Sequence, residues 1–330
     1  MLRVIHDKSE STTLPELDLF SIPPTSVGVV SSKYIECPLV NHISASSPLE
    51  WRYAAQRNFL NLQRSYILFK ASIRKADGSR LVANENVKWP VSFVQNIGQS
   101  MFKQFQVYLN GVCVENTGDL YAYRGIIETE LFESEERKKT VYSASGYFPD
   151  EAVDSPASTA HLARQRLVES GKSAWFAAPV NLNIFKQSRL LLNYTDLRLI
   201  AHINSPKFVI ESLEVAADAT QYTVQLEDCK LMLHEYELHD STMTAIETML
   251  KQQQSITYPM QAVQMRSFYM APGRLDAPEN RILTSHFPKR VIACMVESDA
   301  YHGTYKKSPF HFKNFGTKDI HLEVGSRMIP

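Results

Sequence analysis

The chain has 330 residues, which is long enough for about two domains of ordinary size. Its 35 basic residues (Lys and Arg) are balanced by 35 acidic ones, whereas a protein dedicated to nucleic acid usually carries a clear basic excess. No apolar run approaches the roughly 18–20 residues of a membrane helix. We therefore expect no specific nucleic-acid binding and no membrane insertion, and a neutral chain repels copies of itself only weakly.

The N-terminal residues 1–34 are polar and contain Pro15, Pro23 and Pro24. This composition predicts an arm that stays extended until it meets a partner. Polar residues at 7–10 interrupt the start of the chain, so it lacks the apolar region of a secretion signal, and we expect no secretion. Four widely spaced cysteines form no CxxC pair, which predicts free buried thiols: Cys37, Cys113, Cys229 and Cys294.

Strands are predicted from residue 35 onward. Tyr66–Ile73 is apolar on both faces near its middle, and Val91–Val94 follows a polar loop. Residues 104–110 alternate between polar and apolar, which is the period of a strand buried on one face. Asn110-Gly111 then supplies the two positive-φ residues of a type I′ turn. This part of the sequence predicts a β-hairpin.

After the hairpin the apolar period changes to that of a helix over residues 120–131. The residues on its apolar face are Leu120, Tyr123, Ile127 and Leu131. Residues 132–180 predict an irregular stretch, and a loop of such length is usually functional or mobile. Apolar segments return at 175–180 and 190–203.

A second unit is predicted from residue 216. Residues 222–238 predict a strand whose apolar parity shifts near Asp228, which indicates a bulge or a break. A helix is predicted for residues 241–254, with Asp240 as its cap.

The last predicted elements are strands. Val291–Val296 is apolar on both faces and predicts a central strand of a sandwich, and residues 320–324 predict another strand. Short strands without a βαβ rhythm predict a mainly β protein with short helices. Two β-sandwich domains side by side fit the length better than one barrel. The expected divisions are an N-terminal arm at 1–34, a first sandwich with long loops at 35–215 and a second sandwich at 216–330.

Four blocks of sequence point to a known family. They are LDLFSIPPTSVGV (17–29), residues 39–78, the hairpin and helix at 86–131, and ILTSHFPKRVIACMVESDAYHGTYKKSPFHFKNF (282–315). In this order they resemble the double jelly-roll major capsid proteins of the Polinton (Maverick) transposable elements and related adenovirus-like viruses. The blocks span most of the chain.

The resemblance implies two eight-stranded jelly rolls standing side by side. It implies a structural protein and not an enzyme, with no cofactor, of which three copies form a pseudo-hexagonal capsomer by self-assembly. Capsomers would tile an icosahedral shell with neighbouring capsomers and penton or minor capsid proteins, which makes the virion capsid the expected location. Family members usually continue beyond the position that matches Pro330, so we expect the second jelly roll to be incomplete in this chain.

The loop at 298–315 is rich in aromatic residues, and we expect a corner loop packed on the sandwich or on a neighbouring subunit. Contact with a subunit is favoured by the enrichment of aromatic residues in the cores of protein interfaces. The subunit-interface candidates are Tyr301, Tyr305, Phe310 and Phe312. A β-sandwich module that binds carbohydrate through this loop is the alternative function. A jelly-roll enzyme of cupin type would need metal ligands at a spacing that the sequence lacks.

Two short motifs are discounted. Residues 169–173 end like a phosphate-binding loop, but Arg166 stands where the first glycine would fall. His234 and His239 are five residues apart, whereas a zinc-binding pair on a helix is four apart. We therefore predict no catalytic, cofactor-binding or metal-binding residue.

Overall fold

A computed structural model describes residues 19, 28–44, 47–54, 56–82, 91–149, 158–212, 217–274, 288–324 and 327–329. The chain is mainly β with short helices. In chain order the strands are β1 Val29–Pro38, β2 Leu49–Tyr53, β3 Phe59–Lys75, β4 Val91–Phe93, β5 Phe102–Leu109, β6 Val112–Asn116, β7 Ala174–Pro179, β8 Leu197–Ile203, β9 Ile210–Ser212, β10 Tyr222–Leu238, β11 Leu322–Val324 and β12 Arg327–Ile329. The helices are α1 Ile97–Ser100, α2 Tyr121–Phe132, α3 Glu135–Thr140, α4 Thr159–Val168, α5 Asn183–Lys186, α6 Pro206–Val209, α7 Ala217–Thr220, α8 Asp240–Lys251 and α9 Ser298–His302.

Eight of these strands form two four-stranded antiparallel sheets. The first sheet has the order β1-β10-β3-β7 and the second has the order β2-β8-β5-β6. In each sheet an early strand pairs with a late one, β1 with β10 and β2 with β8, which is the connectivity of a jelly roll built from two Greek keys. Residues 29–238 therefore form one jelly roll, and the small β4–β9 ribbon lies outside its two sheets.

Aromatic side chains join the two sheets in the middle of the sandwich. Phe69 of β3 is completely buried, and its ring centroid lies 5.9 Å from that of Phe102 in β5 and 5.3 Å from that of Phe176 in β7. Phe102 in turn lies 5.0 Å from Phe105. These tilted and edge-on contacts are the favoured arrangements of aromatic rings, so they align the facing sheets as well as fill the space between them.

The predicted hairpin and helix are confirmed. β5 and β6 are joined at Asn110 and Gly111, whose φ angles are 49° and 80°. Both angles are positive, as a type I′ turn requires. The helix predicted after the hairpin is α2, although Leu131 of its predicted apolar face is 56% exposed. The register of β10 against β3 shifts between Leu226 and Asp228, where the sequence predicts a bulge or break.

The strand β10 lies elsewhere than the sequence suggests. It was expected to open a second unit at 216–330, but it pairs with β1 on one side and β3 on the other. The reason is that Cys229, Leu231 and Leu233 point inward and are buried, so they complete the inner face of the first sheet. Residues 29–34 of the expected arm likewise lie in β1, and most of the rest of the arm lies outside the described residues.

The expectation of an irregular stretch at 132–180 is wrong in part, because α3, α4 and β7 lie within it. α4 begins after Ser158, whose Oγ accepts a hydrogen bond from the His161 N–H at 3.3 Å. Its buried face carries His161, Arg164 and Gln165 beside Ala160 and Val168, so the sequence shows no continuous apolar period there.

The prediction of a central strand at Val291–Val296 is wrong. This segment has no ladder partner among the described residues, and Val291 and Ile292 are exposed. The strand expected at 320–324 corresponds to β11, which pairs with β12. Within the described part of the chain, these two are the only paired strands after α8.

All four cysteines are free thiols, as predicted, but only two of them are buried. Cys37 and Cys229 lie in the sandwich, whereas Cys113 and Cys294 are exposed. Among the helices that the structure describes, none combines the length and apolarity needed to cross a bilayer.

Phe69→Ala tests the central aromatic contacts. We expect it to lower the free energy of unfolding by about 3–5 kcal/mol, because it removes a fully buried ring and leaves a cavity between the sheets. Phe268→Ala is the control: that side chain is 49% exposed, and its loss should change stability by no more than about 0.5 kcal/mol. Urea unfolding of the two variants and the parent measures both effects, and equal losses would contradict the assignment of the core.

His234→Gln tests a buried histidine on β10. Burial, with a further contribution from the charge of Arg64, holds the pKa of His234 below its ordinary value. The ring lies 4.5 Å from that of Tyr34 and 4.8 Å from that of Tyr236. Since the unfolded chain takes up the proton first, the stability due to neutral His234 is complete above about pH 6.5 and is lost as the pH falls through the lower, folded pKa.

We therefore expect the parent to lose more unfolding free energy than His234→Gln between about pH 7 and 5. The exposed His42→Gln should keep the parent's pH dependence. Urea unfolding at several pH values compares the three proteins, and parallel curves for the parent and His234→Gln would count against this role.

Candidate interaction site

The loop after α9 approaches the jelly roll at backbone distance. α9 ends at Gly303, whose φ is 95°, a value that favours glycine. A Cβ placed on Gly303 would lie 3.0 Å from the backbone of both Lys207 and Phe208. Glycine at this position therefore lets the loop touch α6 directly.

Five aromatic side chains meet where the loop contacts α2 and α6, and we call them the aromatic cluster. Tyr123 of α2 is its centre, and Tyr301 stacks on it with a centroid distance of 5.7 Å and an interplanar angle of 18°. Phe310 lies edge-on to both Tyr123 and Phe208, at 5.7 Å from each. Phe312 completes the cluster at 6.3 Å from Tyr123. Such pairs contribute about 0.5–1.5 kcal/mol each beyond the apolar area that they bury.

Tyr305 fastens the same loop to the start of β10. The Tyr222 N–H donates to the Tyr305 hydroxyl at 3.0 Å, and that hydroxyl donates to the Tyr222 carbonyl at 3.2 Å. The Ser212 N–H at the end of β9 donates to the Tyr305 carbonyl at 2.7 Å. With only 2% of its surface exposed, Tyr305 is part of the core of the jelly roll.

A buried polar network lies beneath the loop. The Glu211 carboxylate in β9 lies 3.1 Å from Arg164 Nη2 and 3.3 Å from His161 Nδ1, and it also accepts a hydrogen bond from Ser308 in the loop. Burial alone would raise the pKa of Glu211, but the hydrogen bond from His161 and the positive charge of Arg164 outweigh it and hold the pKa below its ordinary value. The carboxylate is thus a charged anchor that the loop shares with α4.

A second buried ion cluster fixes the helix that carries Tyr123. Arg124 of α2 lies 3.1 Å from the carboxylates of both Glu115 and Glu128, and it donates to the Asn183 side chain at 2.8 Å. Removing one member of a buried set of charges leaves the others uncompensated, which typically costs about 3–5 kcal/mol. The position of α2, and with it the aromatic cluster, therefore depends on these contacts.

The outer side of the loop is charged but internally paired. Glu297 accepts hydrogen bonds from Lys307 and Lys313, each at 2.6 Å. The hydrogen bond from Lys307 comes first among the causes that lower the pKa of Glu297 to about 2. Lys307 also lies 3.4 Å from Asp299. A shallow pocket beside these groups is lined by Glu297, Ala300, Lys307, Ser308, His311 and Lys313.

The four predicted interface residues are brought together, but against this chain's own jelly roll. Tyr305 and Phe310 are 2% and 8% exposed, so their side chains contact the sandwich and offer almost no surface to another molecule. Tyr301 and Phe312 are half-buried. Whether any of them contacts a second subunit stays a prediction.

Sequence reasoning missed the receiving side of this site. Phe208 lies on a helix of four residues, which is too short to show a period. Tyr123 is part of the predicted helical apolar face, but its partners Tyr301 and Phe310 lie more than 170 residues away in the chain. Among the described residues, no group of three or more His, Cys, Asp or Glu side chains could hold a metal ion, and His234 and His239 lie at β10 and at the cap of α8.

Comparison with known proteins gives a relative that matches most of this chain. No protein-family model matches the chain. The uncharacterized protein F54H12.2 of Caenorhabditis elegans is 30% identical over 313 residues, which cover 94% of this chain and 73% of that protein.

Several solved viral structures are similar in fold at low identity. A chain of the Sputnik virophage aligns with a TM-score of 0.49 and 13% identity, over 70% of this chain and 53% of the virophage chain. The mavirus major capsid protein aligns with a TM-score of 0.42 and 12% identity, over 72% of this chain and 52% of the mavirus chain. The Faustovirus major capsid protein aligns with a TM-score of 0.42 and 9% identity, over 71% of this chain and 58% of the Faustovirus chain. This chain thus spans about half the length of these viral chains.

Tyr305→Phe tests the attachment of the loop to β10. The change removes one hydroxyl and leaves the buried N–H and carbonyl of Tyr222 without that partner, so we expect a loss of about 1–3 kcal/mol in the free energy of unfolding. Tyr269→Phe is the matched control, because that side chain is 70% exposed. Urea unfolding of both variants gives the difference, and a Tyr305→Phe curve that overlays the control would contradict the attachment.

Proposed function

The chain belongs to the family of the uncharacterized protein F54H12.2 of Caenorhabditis elegans, and we propose that it is a major capsid protein, a structural subunit that assembles with copies of itself into a shell. The observation that carries the proposal is the strand order β1-β10-β3-β7 facing β2-β8-β5-β6. This jelly-roll connectivity recurs in viral capsid proteins, in lectins and in cupins. The choice among these three rests on what fills the sandwich and what remains at its surface.

The interior of the sandwich supports a structural role. The space between the sheets is filled by large apolar side chains that are fully buried, among them Trp51, Phe69, Phe102, Phe105 and Phe176. A cupin enzyme needs this space for polar metal ligands and substrate. A capsid subunit needs it for a rigid packed core.

The aromatic loop speaks against the carbohydrate-binding alternative. A platform for a sugar ring requires an aromatic face that is open to solvent. Tyr305 and Phe310 are buried, and the face of Tyr301 is stacked on Tyr123. The aromatic side chains of the loop therefore mainly contact other residues of the same chain.

Apolar surface outside the sandwich supports self-association. The segment from 256 to 270 exposes several large apolar side chains, namely Ile256, Met260, Val263, Phe268, Tyr269 and Met270. Val291 and Ile292 are exposed as well. Exposed apolar surface of this density marks an interaction site more often than free surface, and a chain of zero net charge opposes the approach of its own copies little.

The finer proposal follows the sequence resemblance. We propose a member of the Polinton (Maverick) type, in which residues after α8 contribute to a second jelly roll beside the first. Three copies would form a pseudo-hexagonal capsomer, and capsomers with penton or minor capsid proteins would form the icosahedral shell of a virion. Two side-by-side jelly rolls per chain would give three chains six similar sides, which is why a trimer can occupy a hexagonal position.

The native mass of the purified chain tests the proposal. We expect light scattering at moderate salt to give three times the 37.6 kDa chain mass, because the apolar segments described above are then covered by neighbours. Electron microscopy of the same sample should show particles with a pseudo-hexagonal outline.

A folded monomer would contradict the capsid proposal. In that case the chain should be screened for binding to glycans, with Tyr301→Ala as the matched variant. Binding by the parent that Tyr301→Ala abolishes would favour the carbohydrate-binding alternative.

A further inference from the structure

Residues 298–312, here called the clamp segment, are bound to the jelly roll at three independent places. Tyr301 and Phe310 enter the aromatic cluster at α2 and α6. Tyr305 is hydrogen-bonded to Tyr222, and Ser308 is hydrogen-bonded to the buried Glu211. The three contacts differ in kind: aromatic stacking, hydrogen bonds to a backbone N–H and carbonyl, and a hydrogen bond to a charged carboxylate. Together they fix both the position and the direction of the segment.

The chain that leads to the clamp segment is built differently. The 46 residues from 252 to 297 separate α8 from α9. Their described parts, 252–274 and 288–297, contain neither helix nor strand and are mostly exposed. Near the start, the Leu192 N–H donates to the Tyr258 hydroxyl at 3.0 Å, and the Arg189 side chain donates to the Thr257 carbonyl.

This connecting segment is held at a few separate points. The Tyr258 contact holds it near α8, and the Tyr301 hydroxyl donates to Ser267 Oγ at 3.1 Å. The Arg290 guanidinium lies 4.8 Å from the centre of the Phe132 ring in α2. Segments with few buried contacts open at low free-energy cost, so the stable attachment of the part after residue 252 comes chiefly from the clamp segment.

We propose that the clamp segment is the joint that sets the C-terminal part of the chain against its own jelly roll in the geometry needed for assembly, and that Tyr301 is a positioning residue for that assembly. The inference rests on the proposed capsid function and adds a mechanism to it. The surface formed by Tyr123 and Phe208 is covered by the clamp segment of the same chain. Opening the joint would leave the jelly roll folded but let the C-terminal part swing away from the subunit contact.

The first experiment asks whose clamp segment is bound. The exposed Cys113 and Cys294 are first replaced by serine, and Lys207→Cys and Thr304→Cys are then introduced, because Gly303 approaches the Lys207 backbone closely and neither new cysteine lies in the aromatic cluster. A flexible bis-maleimide should join the two cysteines within one chain, which gives a faster band on a denaturing gel. A band of two linked chains would overturn binding within the chain and indicate exchange of the segment between copies.

The second experiment asks what the joint does. Tyr301→Ala removes the half-buried stacked ring, and we expect trypsin cleavage after the exposed Arg274 to become about two- to tenfold faster, as loss of one aromatic stack predicts. The trimer fraction by light scattering should fall relative to a control variant, while the jelly roll stays folded without urea and its urea midpoint drops only slightly. Phe315→Ala is that control, because its ring is 51% exposed and lies outside the cluster.

Rescue separates positioning from simple loss of contact area. Tyr301→Ala combined with the cross-linked Lys207→Cys and Thr304→Cys pair should regain the trimer fraction of the parent, because the covalent link replaces the missing stack. Unchanged assembly in Tyr301→Ala, or loss of assembly that the link does not restore, would overturn the inference. A monomeric parent would overturn the capsid proposal and the assembly role together, whereas a trimeric parent with an unaffected Tyr301→Ala would overturn only the joint.

Discussion

The pairing of β10 with two strands at once is the constraint on which the rest of the molecule depends. Over its 17 residues β10 lies between β1 and β3, and it joins the N-terminal strand of the jelly roll to the interior of the first sheet. Without it β1 would have no partner in the sheet, because the order is β1-β10-β3-β7. The jelly roll can therefore close only after residue 238 is available, and pairings at such sequence distance are slow to form.

The clamp segment depends on the same strand. Tyr222, which Tyr305 captures, is the first residue of β10, and Glu211 and Ser212 lie just before it in β9. A clamp segment that bound before β10 was in place would find only half of its site. The complete site for residues 298–312 therefore exists only when β10 is paired in the sheet.

The outer strands show which edges of the sandwich are protected. β1 and β7 border the first sheet, and both end in proline, at Pro38 and Pro179. Proline has no N–H to offer and opposes addition of another strand. β6 borders the second sheet without proline, and its Val112 and Val114 are exposed. The edges of the sandwich thus differ: both border strands of the first sheet contain proline, whereas β2 and β6, which border the second sheet, do not.

Elements whose pattern is local could be predicted from the sequence, and those whose partners are distant could not. The hairpin at Asn110-Gly111 and helix α2 follow from residue spacing and turn chemistry over a few positions. The bulge at Asp228 was visible because inward-facing residues changed parity there. The sequence does not show to which sheet β10 belongs. An alternation of apolar residues indicates that one face of a strand is buried, but it does not identify the strands that pair with it.

The same limit explains the errors in the candidate site. α4 turns His161 and Arg164 inward toward Glu211, so its buried face mixes polar with apolar residues and shows no apolar stripe in the sequence. Val291–Val296 has the composition of a central strand, yet a strand forms only where another edge is offered to it. In both cases the missing information is the identity of the partner, and composition alone does not contain it.

The aromatic residues of the loop at 298–315 also do not reveal their partner from the sequence alone. Tyrosine and phenylalanine are enriched where two surfaces meet, whether the surfaces belong to two chains or to two parts of one chain. Burial decides the matter for Tyr305 and Phe310, whose surface is consumed inside the chain. It leaves the apolar residues of the connecting segment, such as Phe268 and Met270, exposed. The residues that hold the chain's own parts together are therefore distinct from those best placed to hold copies together, and a shell subunit requires both sets.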